Sequence, residues 1–372
     1  MCITLMSYRS RQDQIGSSTE PVILVDNRCY LSITPHIPYP LQMTAPTHSF
    51  STAPMMKCTD HHWRMFARTL TKQALLYTEM LTAPALIHGN IEQLTEHSEA
   101  EYPLALQMGG SNPDELFEAT NLVKNLGFCE INLNLGCPSD RVQSGFFGAA
   151  LMADPGRVSE CLTAMQNAAG SAGPKVTAKI RLGIDDQSVY ETLPAFVEML
   201  NSINIKHVII HARRAILGGL SPKQNREIPP LDYSLVYLIK KQFPNMEIVL
   251  NGGLKTVSGC ILHLKELDGV MMGRSAYRAP QELLQVDRLI FGHQPPHGTA
   301  FEAVNAYRPY VEEVLLKGFP LKHVTRHLVG LYNDVPGARQ FRRVLSERAH
   351  LPRANWTVVK DALSMIPNVE TM

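Results

Sequence analysis

The chain has 372 residues, 45% of them hydrophobic and 19% charged, with 24 glycines, 25 prolines and a formal net charge of +1. That apolar content excludes a disordered or collagen-like polymer, and no apolar stretch approaches the ~18 residues that span a bilayer. The length suits one large or two modest domains, and the near-neutral charge means that any surface for a polyanion must be local.

Residues 1–49 read as an extension. Ser-Arg-Gln and Gly-Ser-Ser-Thr runs and a proline-rich piece from Pro35 to Pro46 leave little hydrophobic period. Such a segment cannot bury enough to offset its ordering entropy, so a flexible tail or a start-site artefact is expected. Asp13, Glu20 and Asp26 argue against a targeting peptide.

Residues 50–292 carry a repeating pattern. Eight short apolar runs recur, each ending in a polar or glycine tip: Phe50–Met55, Leu75–Glu79, Leu104–Gln107, Glu130–Asn134, Val176–Lys179, His207–His211, Glu247–Asn251 and Gly269–Gly273. Segments of helical spacing lie between most of them, such as Asp114–Leu126, Arg157–Ala168 and Tyr233–Gln242. Strand runs alternating with helices imply βα units, and eight of them imply a closed (β/α)8 TIM barrel, an α/β fold. The alternative, a doubly wound open sheet, usually advertises G-x-G-x-x-G after its first strand, and that motif is absent.

From residue 298 to 372 the strand-like runs stop. Ala300–Leu316, Leu321–Leu331, Ala338–Ala349 and Trp356–Met365 read as helices, separated by Pro320, Pro336-Gly337 and Pro352, and predict a small C-terminal helical domain. Between Pro320 and Arg353, seven Lys or Arg (322, 326, 339, 342, 343, 348, 353) face only Asp334 and Glu347, a local net of +5. The remainder of the chain therefore sums to −4, because the whole is +1. Segregated charge is the footprint of a polyanion contact, and a solvated helix face with ordinary ion pairs is the bland alternative.

A TIM barrel puts its chemistry at the C-terminal ends of its strands. The predicted tips are Met55, Glu79, Gln107, Asn134, Lys179, His211, Asn251 and Gly273. A polar group at the end of an apolar strand is costly unless it is used, and the fold makes these eight converge. Asn251-Gly252-Gly253 and Gly273-Arg274 follow the last two strands, where glycine lets backbone N–H groups approach a phosphate. Lys179 can act as a fixed cation that stabilises a reduced flavin, and Gln107 matches an imide-like ring edge. Together these groups fit flavin mononucleotide (FMN), whereas Lys179 taken alone fits a Schiff-base aldolase almost as well.

Seven cysteines, at 2, 29, 58, 129, 137, 161 and 260, form no C-x-x-C pair. No disulfide framework or metal site is expected, and a reducing, cytoplasmic setting fits. Cys137 stands apart in Asn-Leu-Asn-Leu-Gly-Cys-Pro-Ser, just past the fourth strand, where a thiol is mostly protonated at neutral pH and can give up its proton. The other six read as small buried hydrophobes.

The ordered motifs Ala53-Pro54-Met55-Met56, Ala105-Leu106-Gln107, Ile131-Asn132-Leu133-Asn134-Leu135-Gly136-Cys137-Pro138-Ser139, Ala178-Lys179-Ile180-Arg181, Ile210-His211-Ala212-Arg213, Asn251-Gly252-Gly253 and Met272-Gly273-Arg274 closely resemble the tRNA-dihydrouridine synthases. Leu76-Tyr77-Thr78-Glu79-Met80, Gly218–Lys223, Asn225–Tyr233 and Val335-Pro336-Gly337-Ala338-Arg339 resemble the A-type subfamily, over a match running from about Phe50 to Ala349. The resemblance implies an FMN-binding barrel followed by a helical tRNA-binding domain. It implies that Pro54, Met55, Met56, Gln107, Lys179, His211, Asn251, Gly252, Gly253, Gly273 and Arg274 hold the flavin, and that Cys137 is the proton donor. Asn134 would contact tRNA near the target base, and Lys223, Gln224, Arg226, Arg339 and Arg342 would contact it elsewhere. The implied substrates are uridines 20 and 20a of the tRNA D-loop, with NADPH as reductant and no membrane or obligate protein partner. Lys57-Cys58 departs from the family pattern, which has an acidic or apolar residue and then Trp. Trp63 stands where the family often has Cys, and Gln224 where a charged residue is common.

Overall fold

The computed structural model describes residues 48–139, 145–368 and 370. The expected extension therefore lies outside the described residues, apart from His48 and Ser49. These two belong to the barrel: His48 is buried, and Ser49 O accepts the Val270 N–H at 3.1 Å.

Eight strands form one parallel sheet: β1 Phe50–Thr52, β2 Leu76–Thr82, β3 Leu104–Gly109, β4 Glu130–Leu135, β5 Lys175–Arg181, β6 His207–His211, β7 Glu247–Asn251 and β8 Gly269–Met272. Their order around the sheet is β1-β8-β7-β6-β5-β4-β3-β2. A single bridge between Ser51 and Leu75 joins the two ends, with Leu75 N donating to Phe50 O at 3.0 Å and Thr52 N to Leu75 O at 2.9 Å. The sheet is thus a closed (β/α)8 barrel. The bounds of β6 and β7 match the sequence reading, but β2 runs three residues past Glu79. Its pairing with β3 shifts register between Tyr77 and Met80, and this irregularity carries the strand through a stretch whose polarity suggests a terminus.

Helices cover the outside, and their starts follow from capping chemistry. Pro113–Val123, Pro155–Ala169 and Tyr233–Gln242 begin after Asn112, Asp154 and Asp232, whose side-chain oxygens each accept a backbone N–H of the first turn. Their apolar faces pack on one side of the strands, with Leu106, Ile131, Leu133, Ile180, Val208, Ile210 and Leu250 in that outer core. The alternate residues Ala53, Leu75, Tyr77, Ala105, Ile209, Val249 and Met271 form a separate inner cluster. The period-two alternation of a strand explains both sets.

Past the barrel, helices span Ala300–Leu316, Lys322–Thr325, Ala338–Arg348 and Trp356–Leu363. The expected helix over 321–331 shortens to four residues. Gly330 comes so near the end of the helix Arg274–Arg278 that a Cβ would stand 2.8 Å from the carbonyl oxygens of Tyr277 and Arg278. A turn makes that approach and a continued helix would not. These helices sit on the first barrel helix, His61–Leu70: Tyr307 OH donates to His62 O at 2.8 Å, and the Phe66 and Tyr307 rings lie 5.3 Å apart. Trp63 is buried in this outer core, 6.4 Å from the Tyr277 ring. Among the described residues, no helix is long and apolar enough to cross a membrane.

Candidate active site

The alternation that fills the barrel with apolar side chains also lines up a polar series. Glu130, Asn132 and Asn134 alternate along β4; Thr177, Lys179 and Arg181 along β5; His207, Ile209 and His211 along β6; and Glu247, Val249 and Asn251 along β7. The register places Asn134 beside Lys179, Arg181 beside His211, and His211 beside Asn251. The C-terminal ends of β4 to β7 therefore meet at one mouth.

Gln107, fully buried, donates from Nε2 to Asn132 Oδ1 at 2.9 Å and accepts from Asn134 Nδ2 at 2.7 Å. Asn134 Oδ1 in turn accepts the backbone N–H groups of Gly136 at 3.2 Å and Cys137 at 3.0 Å. Arg181 donates to Gly136 O at 3.0 Å and to Asn225 O at 3.2 Å. The loop bearing Cys137 is thereby held from below by Asn134 and from the side by Arg181. Cys137 is half-buried, with its Sγ 3.5 Å from Ser139 Oγ.

Lys179 donates from Nζ to Asn251 Oδ1 at 2.9 Å, and Asn251 Nδ2 is anchored on Met271 O at 2.7 Å. Burial, reinforced by Arg181 and opposed by Cys137, pulls the Lys179 ammonium down to about 7. Burial and the cations Arg181, Lys179, Arg213 and Arg274 hold His211 well below the usual histidine range, so its ring is neutral at physiological pH. Gly252 and Gly253 have φ of 107° and 73°, in the region that favours glycine. A Cβ on Gly252 would lie 3.2 Å from His211 Nε2, and one on Gly253 would lie 2.5 Å from Leu231 Cδ1. On the opposite side, a Cβ on Gly273 would be 3.5 Å from Ala53 Cβ and 3.9 Å from Met55 Sδ. Pro54 and Met55 are half-buried and Met56 is exposed beside them. Arg274 pairs with Glu227 at 2.8 Å and donates to Arg226 O at 3.1 Å.

Two buried N–H groups around this mouth, Arg213 Nε and Arg226 Nε, have no partner among the described residues, and neither has the buried ring nitrogen His211 Nδ1. Buried donors are nearly always satisfied, so unpaired ones around a set of arginines and a lysine mark a place for an anionic, acceptor-rich ligand. A flavin phosphate and ring edge answer that description, and the glycines leave the backbone approachable there.

The remaining predicted residues lie farther out. Lys223 and Gln224 are exposed and Arg226 half-buried, on the segment that follows β6, with Gln224–Arg226 forming one 3-10 turn. Gln224 Oε1 accepts from Ser221 N at 2.9 Å and from Ser221 Oγ at 2.8 Å. Arg339 is exposed and Arg342 half-buried on the helix Ala338–Arg348, where Arg342 donates to Asn333 Oδ1 at 3.2 Å. Glu79 is not a strand tip: it lies within β2, where its carboxylate accepts the Lys57 N–H. The segregated charge is partly consumed, because Arg326 pairs with Asp60, Arg343 with Glu347 and Arg348 with Asp361.

Sequence reasoning missed two kinds of residue. Arg181 and Arg213 lie in the motifs Ala178–Arg181 and Ile210–Arg213 with no role that the sequence assigns, although Lys179 and Arg181, two apart on one strand, necessarily share a face. The polar floor was also missed. Asn132 Nδ2 donates to Thr177 Oγ1 at 2.8 Å, and Glu130 Oε1 accepts from Thr177 and from Tyr77 OH, each at 2.5 Å. That chain of partners joins residues of three strands, β2, β4 and β5, and no local spacing announces it.

A parallel barrel with a cation-lined mouth and a thiol on the loop after β4 defines the class of this chain. The family described as dihydrouridine synthase (Dus) matches residues 51–366, so the chain belongs to the dihydrouridine synthase family. It is 50% identical over 329 residues to the tRNA-dihydrouridine(20/20a) synthase of Yersinia pestis, covering 88% of this chain and 92% of that one. It is 49% identical over 324 residues to the enzyme of the same name from Vibrio parahaemolyticus, covering 86% and 98%. Against that of Escherichia coli O6:H1 it is 48% identical over 322 residues, covering 86% and 96%.

Proposed function

We propose that this chain reduces uridines 20 and 20a in the D-loop of tRNA to 5,6-dihydrouridine, using FMN and NADPH, in the cytoplasm. The observation that carries the reading is the placement of Cys137. Its loop is fastened to the same Asn134 and Arg181 that border Lys179 and the unpaired donors of the mouth.

FMN, when bound, supplies the hydride that adds to uracil C6. Lys179, His211, Arg274 and the glycines at 252, 253 and 273 would hold its phosphate and ring, with Gln107 and Asn251 at the ring edge. A stacked base cannot enter a barrel mouth, so the target uridine must swing out of the tRNA. Gln107, Asn132 and Asn134 are already bonded to one another, which fixes their side chains before substrate arrives and lowers the ordering cost of alignment. Cys137 holds a proton on Sγ and delivers it to uracil C5, leaving a thiolate that solvent reprotonates. Lys179 and Arg181, both within electrostatic reach of Cys137, stabilise that thiolate. Arg339 and Arg342 would hold tRNA phosphates and set register, together with Lys223, Gln224 and Arg226 nearer the mouth.

The test is mass spectrometry of unmodified tRNA incubated with the purified protein and NADPH. The expected result is a gain of two hydrogens at uridines 20 and 20a, from a yellow protein. A colourless protein, or NADPH consumption without change in the tRNA, overturns the reading.

A further inference from the structure

The end of the barrel opposite the mouth holds a cluster for which the reaction has no use. His48 and His207 have side chains only 5% and 4% exposed, and their rings lie 3.6 Å apart. Both direct Nδ1 at the same oxygen of Glu247, from 3.3 Å and 3.0 Å. Behind His48, the buried Glu130 accepts from Nε2 at 2.8 Å. His207 Nε2 is buried with no partner among the described residues. Gly269 makes the approach possible, since a Cβ there would stand 2.0 Å from His48 O.

We propose that His48 Nδ1, His207 Nδ1 and the Glu247 carboxylate are a binding site for one zinc ion at the closed end of the barrel. Two imidazoles and one carboxylate make a familiar zinc donor set, with the fourth position left to water. Donors about 2.0–2.1 Å from a tetrahedral ion stand roughly 3.3 Å from one another. The two nitrogen-to-oxygen separations are already near that, and one ligand atom of each residue lies within 4.8 Å of the others, so the two rings, now 3.6 Å apart, need only splay to about 5 Å for both nitrogens to face one ion. The Glu130 contact supplies the second requirement, because a ligating imidazole is normally oriented by a carboxylate on its other nitrogen. Glu247 is 48% exposed and gives the ion its route in from solvent.

Without an ion, His48 must carry protons on both nitrogens to serve Glu130 and Glu247. Zinc would take the place of the Nδ1 proton, so binding releases it. The donors come from His48, two residues ahead of β1, and from the first residues of β6 and β7. A bound ion would therefore clamp the start of β1, β6 and β7 together, at the face of the barrel that serves stability.

The test uses the full-length, flavin-loaded protein, treated with a chelator and titrated with zinc against a chromogenic competitor. One zinc per chain and a raised melting temperature are expected. His207→Gln and Glu247→Gln should each weaken binding by more than about tenfold while retaining flavin, which reports that they are folded. Cobalt(II) in place of zinc should give tetrahedral absorption bands that both variants lose. Absence of stoichiometric zinc in the unsubstituted protein overturns the proposal. So does zinc that stays with both variants, because it then sits on Cys137 or another surface group.

Discussion

At Cys137 the backbone N–H is fixed by Asn134 Oδ1 and the carbonyl accepts the Ala149 N–H at 3.0 Å, so both flanks of the thiol are pinned. Cys137→Ala should cut dihydrouridine formation by about 10²-fold or more, the scale of a lost general acid, while flavin absorbance is unchanged. Asn134→Ala removes the acceptor that shapes the loop without removing the thiol, so a smaller loss with intact flavin is expected in the same assay. Lys179 makes a prediction about stability. The unfolded chain keeps its proton up to the ordinary 10.5, and the folded chain only to about 7. Between these values the unfolded state binds more protons, so the burden of this lysine is full below about 7 and fades as pH rises toward 10.5. Lys179→Met should therefore raise the melting temperature of the flavin-free protein at neutral pH, by an amount that shrinks near pH ~10. The same variant should lose flavin on gel filtration. A gain in stability with a loss of function is expected of a charge held buried for a ligand.

Among the elements, the helix His61–Leu70 joins the barrel to the C-terminal helices through Asp60. Its carboxylate accepts the Trp63 N–H at 2.9 Å as the helix cap, contacts His327 Nε2 at 3.0 Å and pairs with Arg326. Burial resists ionisation, but His327, the Trp63 N–H and Arg326 together hold the carboxyl far below its usual range. A lowered carboxyl contributes stability above the ordinary range near 3.8 and loses it as pH falls toward the folded value. Asp60→Ala should cost about 1 kcal/mol for the cap, and more for the stranded His327 and Arg326, as read from denaturant unfolding. Loss of tRNA affinity should exceed loss of flavin. The elements differ in how plainly the sequence announces them. His207–His211 and Glu247–Asn251 are legible because an apolar run stops at a polar residue that also ends the strand. At Glu79 the polar residue falls inside β2, and the register shift there depends on the neighbouring strand. The segment from Arg213 to Asp232 was readable only as motifs. Its shape depends on the buried Asn225, which donates to Ile216 O and Leu220 O at 2.8 Å and 3.1 Å and accepts from Ile216 N at 2.7 Å.

For the whole molecule, the relevant quantity is the charge left over after internal pairing. Of the seven cations between Pro320 and Arg353, three are held by carboxylates, and Arg339 and Arg342 have no ion-pair partner among the described residues. Composition overstates the footprint because it cannot see Asp60 and Asp361 reaching in from outside the segment. The double variant Arg339→Glu, Arg342→Glu should weaken tRNA binding and flatten its logarithmic dependence on salt by roughly one unit per arginine. Reduction of bound flavin by NADPH should be unaltered. Equal loss of both would point to misfolding.

The ring of strands has one thin joint. Five residue pairs tie β2 to β3 and six tie β4 to β5, whereas one bridge ties β1 to the segment entering β2. In deuterium exchange the amides of Leu75 and Thr52, which close that joint, should therefore label before the amides of β4 and β5. The residues that continue from β1 are Ala53, Pro54 and Met55, at the lip of the mouth. Breathing at the joint would loosen that lip, while the opposite wall, laced by the six pairs between β4 and β5, keeps its shape.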